Sequence, residues 1–322
     1  SDIGVHPIGT EANRRLKDKI LDRLRRLGYQ PEVQETLACW EAGGCGQVEN
    51  VLARLEGSGS GKAVLLAVHY DGVGAGPSVA DNGVAVAASL EIAGLLAAGP
   101  PLSNDVIFLI DDGEEAFLLG AVAFAAQHPW ARDVGAVVNL EARGSGGSSY
   151  MFETGPDNAW LIDLMRESIP RPATSSFYYS IYQRLPNDTD FTVFRRFGMN
   201  GVNFAFIRNV VHYHTPLDDL RHASAASLQH HGENALAMVR ALADTDLDSP
   251  PEGTASWFDL WGFGILTWPE SRNLALSVLG LSLAAAATGL AWARGRLTPG
   301  QVARAMLLLP TVPTAATLIA LA

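Results

Sequence analysis

Three short and wholly apolar runs, separated by segments with the character of helices, constrain the fold of this chain most strongly. The runs cover residues 63–68 (AVLLAV), 106–110 (VIFLI) and 134–140 (VGAVVNL), and the segments 84–98 and 118–127 lie between them. Strands that are buried on both faces are continuously apolar, and strands that alternate with helices form mostly parallel sheets. We therefore expect an α/β fold of three layers, in which a mixed, mostly parallel sheet of about eight strands lies between helices.

The flanking sequence adds further helices to this first domain, which we place at residues 1–243. Residues 10–27 put Leu16, Ile20 and Leu24 on one face of a helix that Gly28 ends. Residues 48–55 read as a strand, and 157–167 and 227–242 read as helices. Residues 148–241 are otherwise less regular.

The C-terminal part of the chain has a different composition. Residues 244–256 resemble a linker, and residues 257–272 are rich in aromatic side chains, as segments at a membrane interface often are. Residues 273–322 follow as a membrane region with a span at 274–293. That span is 20 residues without a charge, roughly 30 Å as a helix, which matches a bilayer core. A buried helix of a soluble domain is the alternative. A second, weaker span covers 306–322.

Charge is unevenly distributed along the chain. The formal net charge is −11, and from Pro251 onward four Arg and three acids sum to +1, so the first 250 residues carry −12. Such an acidic body repels a phosphate backbone, which argues against nucleic acid as a partner. The two cysteines, Cys39 and Cys45, are either free thiols or a short disulfide, and the sequence favours neither.

Polar residues follow each of the three apolar runs. His69-Tyr70-Asp71 follows the first, Asp111-Asp112-Gly113-Glu114-Glu115 the second and Glu141 the third. Ligands of a doubly wound sheet bind beyond the carboxyl ends of its strands, and imidazole and carboxylate are ligands that suit Zn²⁺. Asp81, 12 residues after His69, and His214 offer further side chains of the same types.

These residues stand in the order and approximate spacing of a known family. His69-Tyr70-Asp71, Asp81-Asn82-Gly83, Gly113-Glu114-Glu115, Asn139-Leu140-Glu141 and Tyr213-His214-Thr215-Pro216 resemble the motifs of the co-catalytic zinc aminopeptidases, a family that includes glutamate carboxypeptidase and aminopeptidase Y. The aromatic segment followed by apolar spans is similar to the membrane-anchored branch typified by endoplasmic reticulum metallopeptidase and vacuolar membrane protease. Five motifs in order are specific evidence, whereas one alone would be weak.

The resemblance implies a role for each site residue. Asp81 would bridge two zinc ions, with His69 and Glu141 completing the ligands of one ion and Glu115 and His214 those of the other. Glu114 would be the general base and Asp71 the partner that orients His69. The implied activity is hydrolysis of a peptide substrate, most often release of an N-terminal residue.

Each residue also has an ordinary interpretation. Glu114 and Glu115 could be solvated surface charges, Glu141 a surface acid and His214 a core histidine. Asp190 is either close to the site or part of an ordinary turn. We interpret His128, His222, His230 and His231 as surface or structural residues, and Asp111, Asp112 and Asp219 as supporting acids.

Other functions remain open. The same metal centre would serve a carboxypeptidase or a dipeptidase, whereas a glutaminyl cyclase works with one zinc ion and would not need His69 and Glu141. A binding ectodomain that shares the peptidase fold is the non-catalytic alternative, although such relatives usually lose ligands.

The Arg residues around the first predicted span set its orientation. Arg294, Arg296 and Arg304 follow it and Arg272 precedes it. Short Arg-rich loops stay cytoplasmic, so we expect the first domain on the opposite side of the membrane, in the periplasm or exterior of a bacterium or in a eukaryotic lumen. The chain opens without a signal peptide, and we expect a targeting segment to precede it.

Overall fold

The structure is a computed structural model that describes residues 3–40, 43–59, 61–298, 300–302 and 304. The chain divides into two compact units, Ser1–Trp268 and Pro269–Ala322. The first unit contains the sheet and all of the residues predicted to carry chemistry. The second contains one long helix among its described residues.

A mixed sheet forms the centre of the first unit. In the described residues it has seven strands: β1 (Glu32–Trp40), β2 (Gly44–Leu55), β3 (Ala63–His69), β4 (Val106–Asp111), β5 (Val134–Ala142), β6 (Tyr150–Thr154) and β7 (Gly201–Phe206). Their order is β1-β2-β4-β3-β5-β7-β6. The four central strands β4, β3, β5 and β7 run parallel, and the outer pairs are antiparallel. The predicted mixed sheet is confirmed, with one strand fewer than we expected.

Helices cover both faces of this sheet. They are α1 (Glu11–Arg26), α2 (Ala85–Ala97), α3 (Leu119–Gln127), α4 (Ala159–Ser168), α5 (Ser176–Tyr182), α6 (Asp190–Arg196) and α7 (Ala225–Ala243), with shorter helical turns at Val79–Val84, Pro129–Asp133 and Val210–His212. Helices α1, α2, α4 and α7 share one apolar core with the sheet, and α3 and α6 share another. The fold therefore has the three layers that the sequence predicts.

Strand β3 shows why the apolar runs are continuous. All seven of its residues are buried. Val64, Leu66 and Val68 belong to the core on the side of α2 and α7, whereas Leu65 and Ala67 belong to the core on the side of α3 and α6. Successive side chains of a strand point to opposite faces, so a strand covered on both sides needs apolar residues at every position. Each fully buried aliphatic side chain contributes roughly 1.5–3 kcal/mol.

A disulfide closes the outer hairpin of the sheet. Cys39 and Cys45 are bonded and lie directly opposite each other in the antiparallel register of β1 and β2. The sequence left a bond and two free thiols equally open, and the structure has the bond. A structural disulfide is typical of an oxidising compartment.

The end of the first unit is a small hairpin of β8 (Ala255–Asp259) and β9 (Ile265–Pro269). Trp257 on β8 is buried, and its indole Nε1–H donates a hydrogen bond to Thr174 Oγ1 at 2.8 Å. Tyr179 of α5 packs against the same indole, with ring centroids 5.9 Å apart. This aromatic side chain therefore belongs to the protein core.

Because of these contacts, the first unit ends later in the chain than predicted. We expected a linker at residues 244–256 and an interfacial segment at 257–272, but Leu247, Ala255 and Trp257 are buried and the compact unit ends at Trp268. Composition alone does not distinguish an aromatic side chain that faces lipid from one that fills a protein core. The proline-rich sequence of residues 244–256 is irregular, but it packs against the unit.

Helix α8 (Asn273–Ala293) accounts for the second unit. It has 21 residues, about 32 Å at 1.5 Å per residue, and none of its side chains is buried. Its length and composition are sufficient to cross a membrane. The segment Val79–Ala97 meets the same criterion, but it is mostly buried as a core helix of the first unit. The second predicted span, 306–322, lies outside the described residues.

The position of Trp257 generates a prediction about stability. We expect Trp257→Ala to lower the free energy of unfolding by about 3–5 kcal/mol, because it removes a buried indole and leaves a cavity. Trp261→Ala is the matched control, since 88% of that residue is exposed, and it should change the free energy by no more than about 0.5 kcal/mol. Urea unfolding of the full chain in detergent, followed by circular dichroism, measures both. Equal stabilities of the two variants would contradict the placement of Trp257 in the core.

Candidate metal centre

The carboxyl ends of β3, β4 and β5 bring the predicted chemistry to one edge of the sheet. His69 is the last residue of β3 and pairs with Asp111, the last residue of β4. Glu141 lies near the end of β5, which is the other neighbour of β3. Because these three strands are parallel neighbours, their ends lie side by side, as the sequence predicts.

Five side chains form two groups of ligand types. In the first group, His69 Nε2 lies 3.5 Å from Asp81 Oδ1 and 3.7 Å from Glu141 Oε2. In the second, His214 Nε2 lies 3.3 Å from Asp81 Oδ2 and 3.0 Å from Glu115 Oε1. The ligand atoms within each group lie within 4.8 Å of one another. Asp81 belongs to both groups and faces each with a different oxygen.

The turn that carries Asp81 is held by a carboxylate far away in the sequence. Asp218 accepts the backbone N–H of Ala80 at 2.6 Å and that of Asp81 at 3.1 Å. Asn82 follows through a cis peptide bond, and its side-chain amide donates to the carbonyl of Leu140 at 2.7 Å. These bonds tie the turn both to the loop after His214 and to β5.

Asp71 connects His69 to the Glu114-Glu115 loop. Its two carboxylate oxygens accept the backbone N–H of Glu114 at 3.0 Å and of Glu115 at 3.2 Å. Asp71 Oδ1 also lies 3.6 Å from His69 Nδ1, and the backbone carbonyl of Asp71 lies nearer to that nitrogen, at 3.2 Å. Asp71 is therefore placed to orient the imidazole, and it also positions the loop that carries the two glutamates.

The two adjacent glutamates point in different directions. Glu115 joins the second group of ligand types, whereas Glu114 lines the neighbouring cavity and has its Oε2 4.0 Å from His69 Nε2. The segment is irregular: Gly113 has φ +81° and Phe117 φ +73°. A regular strand would also send neighbouring side chains to opposite faces, but this loop lets both remain at one edge of the sheet.

The pKa shifts in the cluster indicate that its buried carboxylates stabilise positive charge beside them. Burial raises the pKa of Glu114 well above its ordinary value, against the opposing effect of His69. Burial alone would lower the pKa of His69, but the charge of Glu114 and the hydrogen bonds to Asp71, Asp81 and Glu141 outweigh it and raise that pKa well above its ordinary value.

The second imidazole behaves in the same way. Burial would lower the pKa of His214, but the neighbouring carboxylates of Asp81 and Glu115 raise it to about 9. Glu115 Oε1 and His214 Nε2 are buried and have no hydrogen-bond partner in the described part of the chain. Polar atoms buried without a partner need an explanation, and an ion is one of the usual ones. Nitrogen and carboxylate donors of this kind fit Zn²⁺.

Asp111, Asp112 and Asp190 lie behind this cluster. All three are buried, and burial raises the pKa of each carboxyl group, that of Asp112 to about 7. Asp112 accepts hydrogen bonds from the Asn13 side chain at 3.0 Å and the Glu49 backbone at 3.2 Å. Asp190, for which the sequence left two interpretations open, is fully buried at the start of α6 and not in a surface turn.

The remaining histidines have contacts of a structural kind. His231 is fully buried and 2.7 Å from Ser149 Oγ, and burial lowers its pKa to about 3. His128 packs against Phe124 and lies 2.8 Å from a carboxylate oxygen of Glu32. These contacts agree with the interpretation that the sequence suggested.

A cavity of about 520 Å³ opens beside the cluster. Asp81, Glu114 and Glu141 line one part of it. Its other walls are mainly aromatic and aliphatic, and Phe152, Tyr178, Ile181, Leu185 and Ile207 are among them. The reactive side chains therefore border a space large enough for a small apolar ligand.

Sequence reasoning missed two residues of this region. It named Asp219 as a supporting acid, but Asp218 holds the Asp81 turn, and Asp219 is paired with Arg221 and His222. It also passed over Arg143, which lines the cavity. Its position two residues after the predicted ligand Glu141, just beyond the end of β5, was a usable signal.

A parallel-centred sheet with histidine and carboxylate side chains of metal-ligand type at its carboxyl ends is typical of α/β metallohydrolases. The sequence pattern of peptidase family M28 matches residues 50–239. The chain belongs to that family, and the predicted resemblance is confirmed.

The curated relatives are several times longer than the part of this chain that matches them. The endoplasmic reticulum metallopeptidase 1 of Rattus norvegicus is 37% identical over 202 residues, which are 60% of this chain and 22% of that relative. The vacuolar membrane protease of Schizosaccharomyces japonicus is 32% identical over 200 residues, which are 61% of this chain and 23% of that relative. The chain thus spans about a fifth of the length of the relatives that it matches.

Solved structures share the fold at low identity. A leucine aminopeptidase precursor from Bacteroides thetaiotaomicron superposes with a TM-score of 0.61 at 16% identity, covering 74% of this chain and 92% of the other. The glutaminyl cyclase of Porphyromonas gingivalis gives 0.59 at 18% identity, covering 74% and 93%. The fold is therefore shared by peptidases and cyclases, and the choice between them depends on the site.

Asp218 provides a test of how the cluster is held. Asp218→Ala removes the acceptor of two backbone N–H groups beside Asp81, and we expect it to weaken Zn²⁺ binding about 10–100-fold, the usual effect of losing such a supporting contact. Asp219→Ala, one residue later on the same loop, should bind Zn²⁺ like the wild type. Isothermal titration of the metal-free full chain measures both affinities. Equal weakening in the two variants would indicate general disturbance of the loop.

Proposed function

We propose that this chain is a two-zinc exopeptidase, most specifically an aminopeptidase. The observation that carries the proposal is the position of Asp81, whose two oxygens face two separate groups of ligand types. A carboxylate in that position suits the bridge between two cations, which would otherwise repel each other.

The ligand set supports two ions per chain. His69 and Glu141 with Asp81 would hold one, and His214 and Glu115 with Asp81 the other. Three protein ligands for each ion leave positions for water and substrate, as catalytic zinc sites require. When bound, the two ions would activate a water molecule and polarise the scissile carbonyl group.

Glu114 is the chain's own acid and base in this proposal. It lines the cavity beside Asp81 and Glu141 and is not needed in either ligand group. Its carboxylate accepts a proton from the attacking water and then donates that proton to the leaving amine. The raised pKa of Glu114 suits the first step, because a stronger base accepts the proton of the water more readily.

Two features favour a peptidase over the alternatives. Both ligand groups are complete, whereas a glutaminyl cyclase works with a single zinc ion and would not need His69 and Glu141 in that role. Glu114 is also retained, which a binding-only domain does not require. Release of an N-terminal residue fits the acidic first 250 residues of the chain, whose net negative charge attracts cationic N-termini. Carboxypeptidase or dipeptidase action on the same centre is the second candidate.

The two glutamates separate catalysis from metal binding. We expect Glu114→Gln to keep two zinc ions per chain and to lower kcat for aminoacyl substrates by at least about 100-fold, the scale of general-base catalysis. Its neighbour provides the matched control, because Glu115→Gln should lose zinc. Metal analysis by mass spectrometry and turnover of peptides with free and acetylated N-termini measure the effects. Normal turnover by Glu114→Gln, or full wild-type activity with one ion, would overturn the mechanism.

We further propose that α8 anchors the chain in a membrane, with the first unit on the non-cytoplasmic side. Trp261 and Phe263, at the turn between β8 and β9, are 88% and 91% exposed, which suits the interface of a bilayer. The disulfide in the first unit supports an oxidising compartment. The names of the relatives refer to the endoplasmic reticulum for one group and to the vacuolar membrane for the other.

Protease accessibility tests this orientation. In sealed vesicles whose cytoplasmic face is inside, we expect added protease to digest the first unit without detergent, because short Arg-rich loops stay cytoplasmic. Vesicles of the opposite orientation should protect it until detergent is added. An antibody to the first unit reads out the fragments. The reverse pattern of protection would exclude the proposed orientation.

A further inference from the structure

The cavity beside the metal centre contains a cation that the proposed chemistry does not use. Arg143 lines the cavity together with Asp81, Glu114 and Glu141. It is the first residue after β5, and its backbone N–H donates to the carbonyl of Phe206 on β7 at 2.9 Å.

An amide and an aromatic ring hold Arg143 in place, and neither of them offsets its positive charge. One guanidinium N–H donates to Asn187 Oδ1 at 3.0 Å, and the guanidinium carbon lies 5.0 Å from the ring centre of Tyr213. It forms no ion pair with any residue in the described part of the chain. The other partly buried arginines differ, since Arg54 pairs with two aspartates and Arg195 with Glu153.

The free donors of Arg143 suit a carboxylate. A guanidinium has five N–H groups in a planar fork, and an amide and an aromatic face satisfy only part of it. Asp188 lines the same cavity but is exposed and does not pair with Arg143. A ligand carboxylate that enters the cavity would bind the remaining donors in a bidentate, charge-assisted arrangement.

The position of Arg143 limits where that carboxylate stands in a substrate. Arg143 lines the same cavity of about 520 Å³ as Glu114 and Glu141. One substrate residue spans about 3.3–3.6 Å. In a cavity of this size a carboxylate bound by Arg143 belongs to a residue close to the scissile bond, and the aromatic and aliphatic walls would accommodate the bulky side chain of such a short substrate.

We infer that Arg143 binds the terminal carboxylate of a dipeptide with apolar side chains and makes such dipeptides the preferred substrates. The inference rests on the proposed peptidase function and specifies its substrate class. It assigns Arg143 to substrate binding and leaves the proton transfers to Glu114. Arg143 should therefore act mainly through KM.

Three matched substrates test the inference with the full-length, zinc-loaded chain: Leu-Phe, Leu-Phe-amide and Leu-Asp-amide. We expect the wild type to hydrolyse Leu-Phe with a kcat/KM at least about 10-fold above that for Leu-Phe-amide, the scale of a charge-assisted hydrogen bond. Arg143→Gln should remove this preference, because it should raise KM for Leu-Phe far more than KM for the amide. Arg143→Lys should retain part of it, because it keeps the charge without the planar fork.

Arg184→Gln is the control, because it removes the same charge from an exposed site near α5 that does not line the cavity. It should keep the wild-type preference. Equal losses on Leu-Phe and its amide in Arg143→Gln would overturn the inference and leave the peptidase function standing. A preference for Leu-Asp-amide that Arg143→Gln abolishes would also overturn the inference, because it would place the bound carboxylate on a side chain and not at the C-terminus. Failure of the wild type to hydrolyse any of the three would overturn both.

Discussion

The carboxylate of Asp81 faces two imidazoles, and the rest of the site is arranged around this contact. Three further glutamates, Glu114, Glu115 and Glu141, lie at the same edge of the sheet. Burying so many like charges is unfavourable unless positive charge is supplied close by. In the protein alone the imidazoles meet part of this demand, since the surrounding carboxylates raise the pKa of His69 and His214. Two divalent cations would meet it more completely, which supports the proposal that the cluster is a metal site.

Further acidic side chains behind the cluster hold in place the loops that carry its charged residues. The carboxylates of Asp71 and Asp218 accept backbone N–H groups, from the Glu114-Glu115 loop and from the Asp81 turn respectively. Asp71 and Asp218 therefore position the candidate ligands without belonging to either ligand group, which is the usual contribution of supporting contacts around a metal. The strands that deliver these loops are buried on both faces, so the edge of the sheet has little freedom to move.

Much of the fold and most of the cluster could be predicted from the sequence, for identifiable reasons. Continuous apolar runs have few alternatives to buried strands, and polar residues that follow parallel strands must meet at one edge, which placed His69 and Glu141 correctly. Asp218 could not be found in this way, because its partners lie 137 and 138 residues earlier in the chain and are backbone groups without a side-chain signature. Trp257 was assigned to an interface because an aromatic-rich composition is the same whether the side chain faces lipid or protein.

The charges around the cavity favour an anionic group on the substrate. Asp81, Glu114, Glu115 and Glu141 together carry four negative charges when ionised, and two divalent cations carry four positive ones, so the loaded centre would be close to neutral. Arg143 then contributes a positive charge that no neighbour in the described part of the chain offsets by an ion pair. Because the surrounding walls are aromatic and aliphatic, they screen this charge less than water would. An anionic group on an apolar substrate is the complement of such a cavity, and it would orient the substrate relative to Glu114.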